Sequence, residues 1–440
     1  MNKAQAFDVA IVGGGIVGSA AALALRKNGK SVVVIERDVC GSRSSGVNYG
    51  GVRRQGRSLV QLPLSQRAHA IWGRLSELIG IDGEYVRSGH LKIARTEADL
   101  ASLQAYRDSS QGHGLDLQII GGEALRKTYP WLGERVLGGS LCAEDGHANP
   151  RLVSPAFAKA AQAAGVVIME KTTAARICHS GSAFEVDTDT GLRIRSTHLL
   201  NCAGAWAGHI AAQFNEAVPM VSAHPVMAVT EPLPVFMNLS LGVEGGGIYA
   251  RQALRGNCVI GGSRGFALDE LRARPTREAI GLVLARSVEL LPALRHAHVI
   301  RTWSGTEGYL PDHEPVISLS QTTPGLIHAF GFAGSGFQTG PAVGEVLAEL
   351  VCHGRSSTPV EAFQLPDLLL FLRPSNQLQE TYHELTFSKQ NIAENALVCA
   401  GHRHRIPGTG LVASPNQNPV HRHERGRYGK DMDKSCLSRL

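Results

Sequence analysis

The apolar residues near the start of the chain predict a strand, a glycine turn, a helix and a second strand, in that order. Residues 8–12 form a short apolar run, typical of a buried parallel strand, and three consecutive glycines interrupt it. Residues 16–25 are apolar and rich in alanine, as in a helix buried against a sheet. Residues 31–35 are mostly β-branched and predict a second strand, which ends at Glu36. The chain is therefore expected to begin as an α/β protein with a parallel sheet.

The rest of the chain alternates between helical and strand patterns, with one long loop and a polar end. Residues 38–56 are rich in Gly and Ser and show no apolar period, which predicts a long loop of the kind that usually has a function. Helices are predicted at residues 61–78, 96–109, 152–164, 274–294 and 341–352. Strands are predicted at residues 88–94, 166–169, 174–179, 184–188, 193–195, 198–204, 217–231, 246–262 and 325–330. From residue 373 onward no period is sustained, so we predict a loosely ordered basic tail at 373–440.

Length and charge exclude several classes of function. A chain of 440 residues has room for two domains, or for one domain with a large insertion. No run approaches the ~20 apolar residues that a transmembrane helix needs. The net charge is +6, of which +4 lies from residue 373 onward. The body of the protein is nearly neutral, and we expect no nucleic-acid partner.

The cysteines and histidines give no sign of a metal or of disulfides. The eight cysteines are dispersed and contain no C-x-x-C pair, which argues against a zinc ribbon and indicates a reducing compartment. Two histidine pairs, His402/His404 and His421/His423, have no Cys or carboxylate partners at ligand spacing, so no metal site is predicted. The first strand begins too early to leave room for a signal peptide. We expect a cytoplasmic protein, with peripheral attachment to the inner membrane left open.

The turn after the first strand carries the spacing Gly13-x-Gly15-x-x-Gly18. Such glycines allow a tight turn, a close approach of the backbone to a pyrophosphate, and a close contact between helix and strand. The helix N-terminus adds free N–H groups and the positive end of its dipole. Glu36, about 20 residues on, can accept hydrogen bonds from both ribose hydroxyls of an adenosine. These residues predict the binding of an ADP moiety without distinguishing NAD from FAD.

Six stretches, in this order, resemble the amino-acid and amine oxidoreductases of the D-amino-acid oxidase type, a flavin family that includes glycine oxidase, monomeric sarcosine oxidase, the sarcosine oxidase β subunit and hydrogen cyanide synthase. They are FDVAIVGGGIVGSA…VVVIE, SRSSGVNYGGVRRQG, EDGHANP with its following helix, HLLNCAGAWA, RTWSGTEGYLPDHEPVI and GLIHAFGFAGSGFQTGPAVG. The resemblance covers residues 7–371 and implies FAD rather than NAD. A second Gly-rich turn from strand to helix, at residues 331–341, agrees with FAD, because its free N–H groups suit the ribityl chain and the flavin O2 region.

The resemblance implies an α/β fold with a discontinuous, Rossmann-like FAD-binding domain and an inserted α+β substrate domain built on an antiparallel sheet. The FAD-binding domain is expected at residues 1–85, 145–218 and 304–372, and the substrate domain at 86–144 and 219–303. Non-covalent binding of FAD is expected, because Ser44 to Gly46 offer only small groups and backbone. The residues expected to bind it are Gly13, Gly15, Ile16, Val17, Gly18, Glu36, Arg37, Ser44, Ser45, Gly46, Ala203, Gly204, Trp206, Gly334, Ser335, Gly336, Phe337 and Gln338.

The reaction implied by the resemblance moves a hydride from the carbon that bears the amine to the flavin N5, and the resulting imine hydrolyses. A bidentate arginine holds a carboxylate best. In glycine oxidase and D-amino-acid oxidase that arginine lies two residues after the glycine of the W-x-G segment, where this chain has Glu307. Monomeric sarcosine oxidase uses an arginine of the loop near the flavin, where this chain has Arg53 and Arg54, and we expect one of this pair to hold the carboxylate. Tyr249 matches a strand that supplies a tyrosine over the flavin, and Arg251 on the same strand is a further anion-binding candidate.

The substrate and the electron acceptor stay open. Gln338 stands where sarcosine oxidase has a lysine that activates O2, so a dehydrogenase that passes electrons to a quinone or a partner subunit is considered beside an oxidase. The candidate substrates are a D-amino acid, sarcosine or another N-substituted glycine, hydroxyproline, or an opine. Two alternative functions are the flavin subunit of a hetero-oligomeric amine dehydrogenase and a flavin-binding module without catalysis.

Overall fold

The computed structural model describes residues 4–365, which contain ten α-helices and two eight-stranded sheets. In chain order, the helices are α1 Ile16–Lys27, α2 Ser44–Val47, α3 Leu62–Trp72, α4 Leu75–Ile79, α5 Glu97–Ser110, α6 Gly122–Thr128, α7 Pro150–Ala163, α8 Ala207–Gln213, α9 Arg277–Leu290 and α10 Gly336–His353. The strands, in the same order, are β1 Gln5–Val12, β2 Val32–Ile35, β3 Gly51–Val52, β4 His90–Ala94, β5 Gln118–Gly121, β6 Gly138–Cys142, β7 Gly146–His147, β8 Val167–Met169, β9 Ala174–Ser180, β10 Ala183–Thr188, β11 Arg193–Asn201, β12 Val221–Ala223, β13 Pro225–Pro232, β14 Ser240–Val243, β15 Tyr249–Gln252, β16 Asn257–Arg264, β17 Phe266–Ala267, β18 Ala273–Arg274, β19 Val299–Ser304, β20 Glu307–Tyr309, β21 Val316–Leu319 and β22 Leu326–Phe330. The predicted basic tail lies outside the described residues.

The first sheet has a parallel centre with the N-terminal strand in its middle. Its order is β21–β22–β11–β1–β2–β8, and the hairpin β9–β10 is attached along β11. Strands β8, β2, β1, β11 and β22 run parallel, whereas β21 is antiparallel to β22. Val9 of β1 aligns with Val32 on one side and with His198 on the other. The carboxyl ends of β1, β2 and β11 therefore lie at one edge, which is where open α/β sheets bind their ligands.

Different elements bury the two faces of this sheet. On one face, α1, α3, α7 and α10 form a core that includes Val9, Phe157 and Val343. On the other face, the β9–β10 hairpin and α8 form a core with Ala10 and Phe184. Val9 and Ala10 are neighbours that point to opposite faces, as strand geometry requires. Burial of apolar surface contributes roughly 25 cal/mol per Å2 to stability. Because both faces of β1 are buried in this way, the strand and the edge at which it ends are held in place.

The second sheet is largely antiparallel. Its order is β19–β13–β16–β15–β14–β4–β6–β5, and among these strands β14 and β4 are the parallel neighbours. α6 and α9 bury one face, where Leu125 and Val283 join the core of Leu91 and Ile260. The small sheet β12–β20 pairs Val221–Ala223 with Glu307–Tyr309. The predicted mixed α/β fold is confirmed, whereas the assignment of residue ranges to an FAD-binding and a substrate domain stays a prediction.

Several predicted element boundaries are wrong. The helix predicted at 61–78 is two helices, α3 and α4, because the backbone leaves helical dihedrals at Arg74, with φ −126° and ψ 31°. The helix predicted at 274–294 begins at Arg277, since the Thr276 hydroxyl caps it by accepting the Ala279 N–H at 3.0 Å. The loop predicted at 38–56 contains α2 and β3.

The final helix starts earlier than predicted, and this changes the site. Pro341 was expected to begin it, but α10 begins at Gly336 and accommodates Pro341 in its interior, where the proline forgoes one backbone hydrogen bond. The helix N-terminus therefore directly follows the second glycine turn. Its first N–H groups are available at that turn rather than five residues later.

Candidate active site

A cavity of about 1010 Å3 extends from the carboxyl edge of the first sheet to the antiparallel sheet. Its two ends differ in character. The glycine end is defined by Gly13, Gly15, Glu36, Arg37 and Trp206, and the charged end by Arg53, Arg57, Tyr249, Glu307 and Tyr309. Large cavities at this edge of an α/β sheet are the usual place for a ligand.

The turn between β1 and α1 has no room for side chains at two of its glycines. At Gly13, whose φ is +107°, an added Cβ would lie 2.3 Å from the carbonyl oxygen of Cys202. At Gly18 it would lie 2.0 Å from the carbonyl oxygen of Gly13. At Gly15 the nearest atom would be Ser45 Oγ at 3.1 Å, and Gly15 lines the cavity. Two glycines thus allow the turn and the helix contact, and the third lets a ligand approach the backbone.

The N-terminus of α1 lies at this turn without a side-chain cap. The Ile16 N–H donates to Ser45 Oγ at 3.0 Å, and the Ser154 hydroxyl fixes this loop by donating to the Ser45 carbonyl oxygen at 2.7 Å. Ile16, Val17, Ser44 and Ser45 line the cavity, whereas Gly46 is buried within α2 and does not. The remaining N–H groups of the first helical turn and the helix dipole make this turn an anion site.

Glu36 and its neighbour provide polar groups at the end of β2. The carboxylate accepts the N–H groups of Gly14 and Asp38, each at 2.7 Å. Burial raises the pKa of Glu36, although both hydrogen bonds oppose the rise. The Arg37 guanidinium lies 4.4 Å from the centre of the Trp206 ring, a cation–π contact that forms one wall. The predicted Ala203 and Gly204 also line this end.

The turn between β22 and α10 reaches the cavity beside the charged end. Gly331 and Gly334 have φ values of +75° and +80°, and Ala333 between them has φ +45°. An added Cβ at Gly334 would lie 3.7 Å from Glu307 Oε2. Gly334, Gly336 and Phe337 line the cavity, and no side chain caps α10. A second set of helical N–H groups is therefore open to a ligand.

Two residues predicted to bind the cofactor, Ser335 and Gln338, do not line the cavity. The Ser335 hydroxyl donates to the Phe332 carbonyl oxygen at 2.6 Å. Gln338 is buried, and its side-chain amide donates to the Ser65 carbonyl oxygen at 2.9 Å. Trp72 Nε1 donates to the Gln338 carbonyl oxygen at 2.8 Å. These side chains hold α10 and its turn in place, so the prediction for them is corrected to a positioning role.

Tyr249 lines the charged end from β15, opposite Gly261 of β16. An added Cβ at Gly261 would lie 2.7 Å from the Tyr249 hydroxyl, so the glycine provides the space for the ring. The Tyr49 ring packs edge-on against Tyr249 with the centres 4.8 Å apart. Burial raises the pKa of Tyr249, which keeps the phenol neutral. This end thus has an aromatic wall with a hydroxyl that can donate a hydrogen bond.

Two predicted arginines, Arg54 and Arg251, are used elsewhere in the fold and do not line the cavity. Arg54 is buried, and its Nε lies 3.0 Å from Asp145 Oδ1. Asp145 also accepts the Arg54 and Gln55 N–H groups at 2.9 and 3.0 Å. Arg251 Nε donates to the Tyr49 carbonyl oxygen at 2.8 Å. The structure therefore does not place Arg54, a predicted carboxylate clamp, or Arg251, a predicted anion-binding residue, at the cavity, and Arg54 is already paired with Asp145.

Arg53, one of the two arginines expected to hold the carboxylate, lines the charged end. Arg57, which the sequence analysis did not single out, lines it too. Arg57 is 7% exposed, and its Nε has no hydrogen-bond partner among residues 4–365. Burial, followed by the charge of Arg53, lowers the pKa of Arg57 to about 9. The signal in the sequence was the third arginine of RRQGR, four residues after Arg53.

Glu307 places a carboxylate at the same end. It lines the cavity from β20, and the Tyr309 hydroxyl donates to its Oε2 at 3.0 Å. Burial raises the pKa of Glu307, while the hydrogen bond and the charges of Arg264 and Arg57 oppose the rise. Both signs of charge therefore line one enclosed space.

Comparisons with known proteins agree with this architecture. The family model for FAD dependent oxidoreductases, DAO, matches residues 8–350. Glycine oxidase of Geobacillus kaustophilus is 28% identical over 371 residues, which cover 82% of this chain and 96% of that protein. A crystal structure of glycine oxidase from G. kaustophilus gives a TM-score of 0.77 at 24% identity, covering 82% of this chain and 98% of that chain. L-proline dehydrogenase from P. horikoshii gives a TM-score of 0.77 at 26% identity with the same coverage.

A longer relative is also similar to this chain. The mitochondrial pyruvate dehydrogenase phosphatase regulatory subunit of Mus musculus is 26% identical over 371 residues, which cover 80% of this chain. The match covers 42% of that protein, so this chain spans less than half of its length.

The residues of the glycine end fit FAD, the cofactor of this family. Gly13 leaves no room for a Cβ, Gly15 opens the backbone, and the uncapped start of α1 suits a pyrophosphate. The uncapped start of α10 supplies the second set of N–H groups that an extended dinucleotide needs. Among residues 4–365, no group of three or more His, Cys, Asp or Glu is arranged to hold a metal ion. No helix in this part of the chain has the length and apolar character needed to cross a membrane.

Proposed function

We propose, on the premise that the chain belongs to the DAO family of FAD-dependent oxidoreductases, that it oxidises the C–N bond of a small amino or imino acid to an imine, which water hydrolyses. The observation that carries the proposal is the charged end of the cavity. The buried Arg57, the half-buried Arg53 and the half-buried Glu307 carboxylate line the same space beside the second glycine turn. An amino acid, with its carboxylate and ammonium, matches both signs of charge.

FAD would be held non-covalently by groups of the backbone and by few side chains. Bound FAD supplies the two-electron acceptor that the oxidation requires. The start of α1 would hold its pyrophosphate, and Glu36 the adenosine ribose. Gly334 and the start of α10 would hold the flavin part. The second turn adjoins Glu307, so the charged end would lie beside the reactive part of the bound cofactor.

Arg57 is the group best suited to the substrate carboxylate. Its guanidinium lines the cavity, is almost fully buried, and lacks an ion-pair partner among residues 4–365. Hydrogen bonds between ions are stronger than neutral ones, and a guanidinium can donate two in parallel. Arg53 lines the same end and adds a second positive charge.

Glu307 is the group suited to the substrate nitrogen. Amine oxidation needs the neutral amine, so the proton of the bound ammonium must move to a base. Burial raises the pKa of Glu307, which makes it a better proton acceptor than an exposed glutamate. Tyr309 holds Oε2 in place by its hydrogen bond, and the ammonium proton would move to a carboxylate oxygen of Glu307. Tyr249 would close the space and exclude water.

The electron acceptor that follows FAD, and any partner subunit, are further parts of the proposal. O2, a quinone or a second protein are the three candidates. A function without catalysis is the second candidate function, and it is favoured by the similarity to a protein named as a regulatory subunit. A cytoplasmic location is proposed because the six cysteines within residues 4–365 are free.

The test is anaerobic reduction of the purified holoprotein by a panel of amino and imino acids. Loss of the flavin absorbance near 450 nm with at least one of them supports the proposal. A protein that holds FAD but is reduced by none of the panel, and yet is reduced by dithionite, is a binding module. Release of peroxide in air, compared with reduction of an artificial dye, then distinguishes an oxidase from a dehydrogenase.

A further inference from the structure

We propose that the substrate carries two carboxylates besides its amine nitrogen, one for Arg57 and one for Arg53. The inference rests on the proposed function and narrows its substrate to dicarboxylic amino or imino acids. Such a compound is an α-amino dicarboxylic acid or an amino acid with a carboxyalkyl group on its nitrogen. The charges left unpaired at the charged end of the cavity are the basis for this inference.

Arg53 and Arg57 line the cavity and have no carboxylate partner among residues 4–365; Arg251 also lacks one, but it does not line the cavity. Three neighbouring cations do have one: Arg54 with Asp145 at 3.0 Å, Arg43 with Asp38 at 2.7 Å, and Lys92 with Glu244. Among residues 4–365, neither Arg53 nor Arg57 forms an ion pair. Arg53 donates to the carbonyl oxygen of Gln55, and Arg57 Nε has no partner at all in this part of the chain.

Two unpaired guanidiniums that line one cavity, one of them buried, are unfavourable unless a ligand supplies the opposite charge. Burial is the largest influence on both groups and lowers both pKa values. The charge of Arg53 lowers the pKa of Arg57 further. Buried charges in proteins are normally paired because desolvation is costly. Arg54, which has a structural role, is paired with Asp145 within the fold.

The two guanidiniums occupy different positions along the charged end. An added Cβ at Gly56 would lie 3.2 Å from Arg53 Nη1 and 3.3 Å from Lys92 Nζ, so Arg53 lies beside Lys92. The charge of Glu307 acts on Arg57 and raises its pKa. Arg57 thus shares the space in which the amine would bind, and Arg53 offers a separate place for a second anionic group.

The balance of charge selects a dicarboxylate. Lys92 is neutralised by Glu244. Arg264 also lines the cavity, over the Tyr309 ring, but it is exposed and its charge is screened by solvent. The less exposed charges are Arg53, Arg57 and Glu307. A monocarboxylic amino acid is a neutral zwitterion and would leave one positive charge uncompensated. A dicarboxylic amino acid carries two negative charges and one positive charge, and it neutralises all three groups.

Matched substrates test this inference. The pairs are D- and L-glutamate against D- and L-glutamine, and iminodiacetate against sarcosine. Anaerobic stopped-flow reduction of the FAD-loaded protein is followed for each. We expect the dicarboxylic member of a pair to reduce the flavin with an efficiency about a hundredfold higher, since it gains charge-assisted hydrogen bonds. Equal efficiency within the reactive pairs, or reduction by monocarboxylic compounds alone, overturns the inference but leaves the proposed function standing.

Substitutions assign the second carboxylate to Arg53. Arg53→Gln is expected to bring the ratio of efficiencies within a reactive pair close to one, whereas Arg57→Gln lowers the efficiency of both members. Arg135→Gln, on a side chain that is 84% exposed, is the charge control and leaves the ratio unchanged. FAD content and melting temperature show that each variant is folded. A ratio that survives Arg53→Gln overturns the assignment.

The binding of acids that cannot be oxidised tests the same site independently. Glutarate and butyrate differ by one carboxylate and have no amine to oxidise. We expect glutarate to perturb the flavin spectrum with a Kd about a hundredfold lower than that of butyrate, and this difference to be lost in Arg53→Gln. Equal affinity of the two acids overturns the inference. A panel in which no amine reduces the flavin, while glutarate still binds tightly, contradicts the proposed function instead.

Discussion

The two ends of the cavity are built from different parts of the chain. At the glycine end, the turn between β1 and α1 presents backbone groups to the cavity, and the important property of Gly13 is that it has no side chain. At the charged end, the side chains of Arg57, Tyr249 and Glu307 come from segments far apart in sequence and meet only in the folded protein. The glycine end is therefore sensitive to added atoms, and the charged end to lost charges.

Because of this difference, the two ends recognise different chemical groups. Backbone N–H groups and helix dipoles bind any suitably placed phosphate, so the glycine end can serve one cofactor in proteins with different substrates. Side-chain charges can be exchanged one at a time without altering the turns.

The largest predicted effect is at the glycine end. Gly13→Ala places a Cβ 2.3 Å from the Cys202 carbonyl oxygen and forces an alanine to a φ of +107°. A strained backbone of this kind costs about 1–3 kcal/mol before the overlap is counted, so we expect the affinity for FAD to fall by about a hundredfold or more. The ratio of flavin to protein after purification, and the Kd on reconstitution, measure the loss.

The matched control is Gly281→Ala in α9, where an added Cβ meets no atom within 4 Å. This variant should bind FAD like the wild type. If the Gly13→Ala protein binds FAD stoichiometrically, the absence of a side chain at residue 13 is not required for cofactor binding.

The next effect concerns Arg54, the predicted clamp that the fold uses elsewhere. Arg54→Gln leaves the Asp145 carboxylate buried without its ion-pair partner. Breaking a buried pair on one side typically costs about 3–5 kcal/mol, and we expect a loss of that size in the free energy of unfolding. Urea denaturation measures it. Arg87→Gln is the control, because its pair with Glu144 is largely exposed and should be worth about 1 kcal/mol or less.

Arg57→Gln should give the opposite pattern from Arg54→Gln. Arg57 has no carboxylate partner among residues 4–365, so its removal should not lower the free energy of unfolding. Loss of the charge-assisted hydrogen bonds to the substrate should lower kcat/KM by about a hundredfold while FAD stays bound. Steady-state kinetics and the flavin absorbance measure both quantities. A destabilised protein with normal KM would show that Arg57 is structural.

The sequence predicts the glycine end well because its contacts are local. Gly13, Gly15, Gly18 and Glu36 lie within a single strand–helix–strand unit, and their spacing carries the geometry. The charged end could not be predicted in the same way. Arg54 and Arg57 lie three residues apart, and only the position of Asp145, 91 residues after Arg54, decides which of them is free.

The same limit applies to the second glycine turn. The sequence shows a glycine-rich turn before a helix, and the structure has one. Pro341 obscured where that helix begins, because proline is typical of a first turn but is also tolerated inside a helix at a cost. The resemblance placed the side chain of Gln338 at the cofactor, whereas its amide donates to the carbonyl oxygen of Ser65 in α3. The residue at which a helix begins decides which side chains face the cavity, and the composition of the segment does not predict that residue.

The smallest predicted effect is the pH dependence that Glu307 gives to the charged end. Burial raises its pKa above the usual value of 4.5. The ionised carboxylate binds the substrate ammonium, so KM is lowest above this raised pKa and rises by up to about tenfold for each pH unit below it. Stability has the opposite dependence, because folding favours the protonated form. The contribution of Glu307 to stability is complete below about pH 4.5 and is lost as the pH rises through the raised pKa.

Glu307→Gln separates these two dependences in one variant. Its KM should be high at every pH, without the rise on acidification, and its free energy of unfolding should exceed that of the wild type at pH 8 but not at pH 4. Glu123→Gln, on an exposed side chain, is the control and should change neither quantity. A variant equally stabilised at both pH values would mean that the buried charge is not the cause. A KM profile that still rises at low pH would assign the titration to another group and would leave the amine without its proposed partner at the charged end.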